Sequence, residues 1–157
     1  MAASEVKIIR YGPHKEQYIR ITIPSRENPT SALLPAVVIF HGGFWKAKYG
    51  LDNSCIETLR PFFLSKNYVV CEIEYRRREH EGGGFPGTNS DCANALHKLH
   101  SLSLEENGDL KIDISRVILL GHSAGAYLAL WLCCAESEMR DILFFLPMLI
   151  VVIAPVG

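Results

Sequence analysis

Apolar positions in this chain fall into short runs separated by polar or glycine-bearing segments. Residues 6–10 and 18–23 read as strands. In the second, Ile19, Ile21 and Ile23 alternate with Tyr18, Arg20 and Thr22, the period-2 pattern of a strand. Gly12, Pro13, His14 and Lys15 between the two runs predict a hairpin, and residues 24–35 a polar, proline-bearing loop. Residues 36–40 (AVVIF) are continuously apolar, as expected of a strand covered on both faces in a parallel sheet. Residues 53–66 predict a helix capped by Asp52 or Asn53, with Ile56, Leu59, Phe63 and Leu64 towards the core and a kink or break at Pro61. Residues 68–75 are the next strand, with Val69, Cys71 and Ile73 on one face. Thr88 and Asp91 form a capping signature that opens a helix over 89–102, with Cys92, Ala95, Leu96 and Leu99 inward. A polar loop over 105–113, containing Gly108, precedes a buried strand at 116–120. The helix over 124–134 is apolar nearly all round and is expected to be buried, and 148–153 reads as a last parallel-type strand. A hairpin followed by β-α-β-α-β-α-β predicts an α/β fold. It is an open, doubly wound, mostly parallel sheet with an N-terminal antiparallel hairpin, in a single domain over 1–157.

Composition narrows the partners. With 16 Lys+Arg against 17 Asp+Glu the net charge is −1, and no basic stripe stands out, which argues against nucleic acid. Cys55, Cys71, Cys92, Cys133 and Cys134 lack C-x-x-C or Cys/His metal spacing, so reduced, buried thiols in a cytoplasmic protein are expected, with no metal. The N-terminus has no apolar leader. Residues 142–156 carry no charge, but 15 residues interrupted by Pro147 and Pro155 argue for a buried strand and its loop rather than a membrane anchor.

Two motifs carry chemistry. Gly121-His122-Ser123-Ala124-Gly125 lies between a buried strand and an apolar helix. A G-x-S-x-G in that setting is a nucleophile elbow: the glycines allow a sharp turn, and the serine hydroxyl stands at a helix N-terminus. The alternative is a glycine-rich turn whose serine only caps the helix. His41-Gly42-Gly43-Phe44-Trp45 follows the strand at 36–40. Its backbone suits an oxyanion hole, with Gly43 and Phe44 joining the N–H of Ala124. Together the motifs point to acyl transfer through Ser123, with His41, Gly42, Trp45, Gly121, His122 and Gly125 as supporting residues. Phe44, Trp45 and Phe85 are a candidate apolar substrate pocket, or pack the core or the loop. The run from Arg76 to Glu81 and the glycines after it lie where ligands gather in open α/β sheets, and either face solvent or shape the site. Asp91 reads as a helix-start residue rather than a catalytic acid, and His97 and His100 as surface histidines.

From residue 36 onward the chain resembles the α/β-hydrolase superfamily, in the branch with HGG-x-W before the first crossover helix. Kynurenine formamidase and small carboxylesterases of the lipase/esterase type share that feature. The matching residues are His41, Gly42, Gly43 and Trp45; Glu74, Tyr75 and Arg76; Gly84, Pro86, Thr88 and Asp91; and Gly121 to Gly125. The resemblance implies that Ser123 attacks an ester or arylformamide carbonyl of a small molecule. It also implies no metal or other cofactor, and a later Asp and His that complete a triad.

The family order is Ser, then Asp or Glu, then His. The 34 residues after Ser123 contain Glu136, Glu138 and Asp141 but no histidine. All six histidines precede the elbow; His41 belongs to the oxyanion turn, His122 points away, and His80 is the remaining substitute base. The expectation is therefore the N-terminal portion of the fold, reaching about the sixth strand. Its strand over 148–156 would be an exposed apolar edge suited to self-association. The competing reading is a catalytically incomplete isoform or pseudoenzyme acting by binding or association.

Overall fold

The computed structural model of the protein describes residues 4–25, 32–54, 58–105 and 110–134, and the backbone of 149–153. Six strands form one sheet in the order β1-β2-β4-β3-β5-β6. The predicted hairpin is β1 (Glu5–Arg10) and β2 (Tyr18–Ile23), antiparallel with Arg10 opposite Tyr18. β2 also pairs antiparallel with β4 (Val69–Glu74). β3 (Leu34–Phe40) lies between β4 and β5 (Ile112–His122), parallel to both, and β6 (Leu149–Ile153) pairs parallel with β5 at the margin of the described sheet. The chain thus leaves β3 to one side for β4 and returns to its other side for β5. That reversal opens a crevice beyond the carboxyl ends of β3 and β5, where open α/β sheets bind ligands.

The uninterrupted apolar run of β3 has a cause in the layers above and below it. Ala36, Val38 and Phe40 belong to a large core with Cys92, Leu96 and Leu99 of α2 (Gly87–Ser103) and Leu128 and Leu132 of α3 (Ala124–Cys134). Val37 and Ile39 face the other way, into a smaller core completed by Leu59, Phe63 and Leu64 of α1 (Leu59–Ser65). Each fully buried Val, Ile, Leu or Phe contributes roughly 1.5–3 kcal/mol, so a strand with two covered faces needs no polar positions.

β4 departs from that rule. All six of its residues are buried, including Glu72 and Glu74. Arg60 of α1 meets Glu72 with two hydrogen bonds, Nε to Oε2 at 2.9 Å and Nη2 to Oε1 at 2.8 Å. The paired geometry compensates the desolvation of both charges.

Several predicted boundaries move. α1 begins at Leu59 rather than residue 53, which places Pro61 in its first turn, where a missing N–H costs nothing. Asn53 closes the preceding loop instead: its Oδ1 accepts from the Gly50 N–H at 2.7 Å and its Nδ2 donates to the Lys48 carbonyl at 2.6 Å. Thr88 lies inside α2 and caps nothing; its hydroxyl donates to the Arg76 carbonyl at 2.5 Å. β5 takes in Ile112 and Asp113 from the predicted loop and continues through His122. α3 is not buried all round: Tyr127 and Leu130 are each 45% exposed. Cys55, Ile56, Gly108, Glu136, Glu138, Asp141 and residues 142–148 lie outside the described residues. None of the helices described is long and apolar enough to cross a membrane.

Candidate active site

The elbow is tighter than the five-residue motif suggests. β5 runs through His122, α3 starts at Ala124, and Ser123 alone makes the turn, with φ 53°. The left-handed conformation is costly for a residue with a side chain and persists only when its surroundings enforce it. The glycines do the enforcing. A Cβ on Gly121 would overlap the Gly125 carbonyl oxygen and lie 2.6 Å from the Ala126 Cα. One on Gly125 would overlap the Phe40 carbonyl oxygen, so the first turn of α3 sits against the end of β3.

The HGG turn is brought to the same place by β3. Gly42 and the elbow touch: a Cβ on Gly42 would lie 2.8 Å from His122 Nδ1 and 3.3 Å from Ser123 Cβ. Gly43, Phe44 and Trp45 follow with φ of 118°, 54° and 54°. Of the four non-glycine residues with positive φ among the described residues, Phe44, Trp45 and Ser123 are in this site and Asn67 is elsewhere. Backbone strain is concentrated where the two motifs meet.

Donor supply follows from the hydrogen bonds. The Ser123 carbonyl accepts from the N–H groups of Ala126 (2.9 Å) and Tyr127 (3.3 Å). The Ala124 N–H has no partner among the described residues, as expected at a helix start. The N–H groups of Gly43 and Phe44 likewise have no partner among the described residues. The Ser123 hydroxyl, half-buried, also has no partner among the described residues.

Beneath the turn is a buried polar network. His41, fully buried, stacks on Tyr75 with ring centroids 4.2 Å apart, and the Tyr75 hydroxyl donates to the His41 carbonyl at 2.6 Å. Its Nε2 donates to Glu74 at 3.0 Å. The Glu74 carboxylate also accepts from the N–H groups of Leu51 (3.0 Å) and Tyr75 (3.2 Å) and from Arg77 Nη1. Burial opposes ionisation of Glu74, but the hydrogen bond from His41 and the charge of Arg77 outweigh it and hold the carboxyl below its usual range. Burial pushes the Tyr75 hydroxyl far up, so it acts as a neutral donor. His41 therefore supports the turn from below, within a network that sequence reading did not anticipate.

The arginine run divides its labour. Arg76 grips Asp91 through Nε (2.9 Å), Nη2 (2.7 Å) and its own backbone N–H (3.0 Å), and Gln17 adds a fourth bond at 2.7 Å. Asp91 is fully buried, so it is an anchor for the loop after β4 rather than a helix-start residue. Arg77 serves Glu74 and Glu16. Arg78 is exposed, and its backbone N–H bonds the Trp45 carbonyl at 3.2 Å, tying this loop to the HGG turn. His80 accepts from the Arg77 N–H through Nδ1 at 3.0 Å, and burial and Arg77 lower its pKa.

Phe44, Trp45 and Phe85 come together as proposed residues of one open cleft of about 310 Å³, with Arg78, Gly84, Asn89 and Tyr127 completing its lining. Trp45 and Tyr127 meet edge to face at 5.6 Å, and Tyr127 lies one helical turn beyond Ser123. Phe44 and Phe85 are 63% and 76% exposed, so they do not pack the core. Sequence reasoning does not single out Tyr127 or Asn89, because the motifs beside them assign no role to either position and their meeting depends on tertiary structure. Among the described residues no group of three or more His, Cys, Asp or Glu is placed to hold a metal.

A family model, BD-FAE, matches residues 21–143. The chain belongs to the BD-FAE family. Its sheet is that of an α/β-hydrolase fold, as solved structures show. Esterase B from Lactobacillus rhamnosis, in a C6-C4 SN3 inhibited form, is 25% identical with a TM-score of 0.70, over 95% of this chain and 48% of that one. A bacterial heroin esterase is 27% identical with a TM-score of 0.60, over 86% of this chain and 40% of that one. An esterase from Thermogutta terrifontis is 21% identical with a TM-score of 0.61 and shares the fold. Comparison with curated proteins gives no match. This BD-FAE member spans about half the length of the solved structures it resembles, or less, so it holds part of the hydrolase fold.

Proposed function

We propose that the protein carries the nucleophile and oxyanion hole of a serine ester hydrolase acting on small carboxylic esters. The observation that carries this reading is the strained turn at Ser123 packed against Gly42, with the N–H groups of Gly43, Phe44 and Ala124 bonding nothing among the described residues. Ser123 Oγ attacks the ester carbonyl, and a base takes its proton. The carbonyl oxygen becomes an oxyanion that these N–H groups receive, aided by the N-terminus of α3. Collapse breaks the ester bond, the proton passes to the leaving alkoxide, and water then hydrolyses the acyl-serine. In this fold the histidine base and its acid follow the nucleophile along the chain. The HGG-x-W sequence supports an arylformamide as a second, less electrophilic carbonyl open to the same attack.

In the full protein an alkyl fluorophosphonate is expected to label Ser123, and Ser123→Ala to abolish both labelling and ester turnover. Turnover that survives in the Ser123→Ala variant refutes the assignment.

A further inference from the structure

The cleft beside the elbow has apolar walls and, among its lining residues, one cation and no carboxylate. Phe44, Phe85, Trp45 and Tyr127 supply the walls. Arg78 stands at the rim with its guanidinium carbon 5.9 Å from the Phe44 ring centre, and Lys46 Nζ lies 5.9 Å from the same ring. Neither cation is paired with a carboxylate among the described residues. Glu79, the nearest acid in sequence, gives its carboxylate to the Ala47 N–H instead. Asn89 lines the cleft, is 2% exposed, and its Nδ2 has no hydrogen-bond partner among the described residues. An amide donor left unpaired and shut away from water is costly, and a ligand oxygen would satisfy it. The cleft volume is at the lower end of small-molecule pockets, which run from roughly 300 to 1,000 Å³.

We propose that this cleft is a subsite for the anionic portion of the substrate, an apolar or aromatic body bearing a carboxylate, with Arg78 and Asn89 as its specificity-determining donors. The inference rests on the hydrolase reading above and names the substrate class for it: an ester that carries a free carboxylate beside the scissile bond. The aromatic walls hold the body. Arg78 supplies charge, and the Asn89 amide turns its Nδ2 to a carboxylate oxygen. Lys46 adds to the positive potential at the mouth and favours entry of an anion.

The test is isothermal titration calorimetry of the full protein at low ionic strength with 3-phenylpropionate and its neutral amide, 3-phenylpropionamide. The carboxylate is expected to bind about tenfold tighter. Arg78→Gln, at an exposed position, should bring the ratio towards one. Asn89→Ala, which removes an Nδ2 that bonds nothing among the described residues, should weaken the carboxylate several-fold. Equal affinities, a ratio indifferent to Arg78→Gln, or no binding of the carboxylate overturns the proposal. The Ser123→Ala variant should keep the preference. Fluorophosphonate labelling without the preference removes the subsite and leaves the hydrolase standing; the preference without labelling does the reverse.

Discussion

Glu74→Gln is the sharpest probe of how the His41-Gly42-Gly43 turn is held. Glu74 is 3% exposed and accepts from four groups. Oε1 takes His41 Nε2, the Tyr75 N–H and Arg77 Nη1; Oε2 takes the Leu51 N–H. Glutamine has the same shape but one oxygen. With its oxygen in the three-donor position, its NH2 points at the Leu51 N–H, and a buried donor is left facing a donor. Such an unmade bond costs roughly 1–3 kcal/mol. Arg77, 4% exposed, also loses its nearest counter-charge and keeps Glu16 at 3.1 Å. Removing one partner of a buried pair costs about 3–5 kcal/mol, less here because Glu16 remains. A loss of about 3 kcal/mol is expected, which is about 6–12 °C in Tm for a domain of this size.

Urea unfolding followed by circular dichroism measures that loss. Its pH dependence has a definite sign. The Glu74 carboxyl titrates below its ordinary value of 4.5 in the folded protein. Its stabilisation is therefore complete above about pH 4.5 and is lost as pH falls through the lower folded value. The gap between wild type and Glu74→Gln should be largest near neutrality and shrink in acid. A loss under about 1 kcal/mol at pH 7, or a gap that widens as pH falls, refutes the reasoning.

Two further outcomes follow from packing and thiol chemistry. Gly125→Ala drives a methyl into the Phe40 carbonyl and to 2.7 Å from the His41 carbonyl. A loss on the order of 3 kcal/mol is expected from chemical denaturation, together with loss of fluorophosphonate labelling, and a stable, labelled variant would show that the elbow is not closed against β3. Burial pushes the Cys71 and Cys92 thiols up, whereas Cys134 is exposed. Iodoacetamide in native buffer should modify Cys134 first and reach Cys71 and Cys92 only after unfolding, as peptide mass mapping would report.

Much of the architecture was legible because local pattern and tertiary role agree. The alternation in β2, the unbroken run in β3 and the Gly-x-Ser-x-Gly turn each encode their setting. A strand with two covered faces has to be apolar throughout, and a turn this tight has to have glycines. Boundaries were less legible. Pro61 suggests a kink anywhere in a helix, and only the observed start at Leu59 shows that it sits where its missing N–H is harmless. Thr88 and Asp91 satisfy a capping pattern, yet Arg76 outcompetes the helix for both. The carboxylates of Glu72 and Glu74 on β4 mark a surface face by pattern, and their burial depends on Arg60, His41 and Arg77 arriving from other elements.

The sequence by itself determined the tight turn at Ser123, its glycine frame and the second glycine turn, because steric demands at a single turn are local and are written in consecutive residues. Tertiary structure alone decided what surrounds them. The crevice exists because β5 returns to the far side of β3, which carries the turn after Phe40 against the one at Ser123. Arg78, Phe85 and Asn89 reach Phe44 and Trp45 because β4 lies beside β3, and Tyr127 joins them through that return. Electrostatic pairing and cleft lining depend on distances in space between residues far apart in the chain, and no local pattern records them.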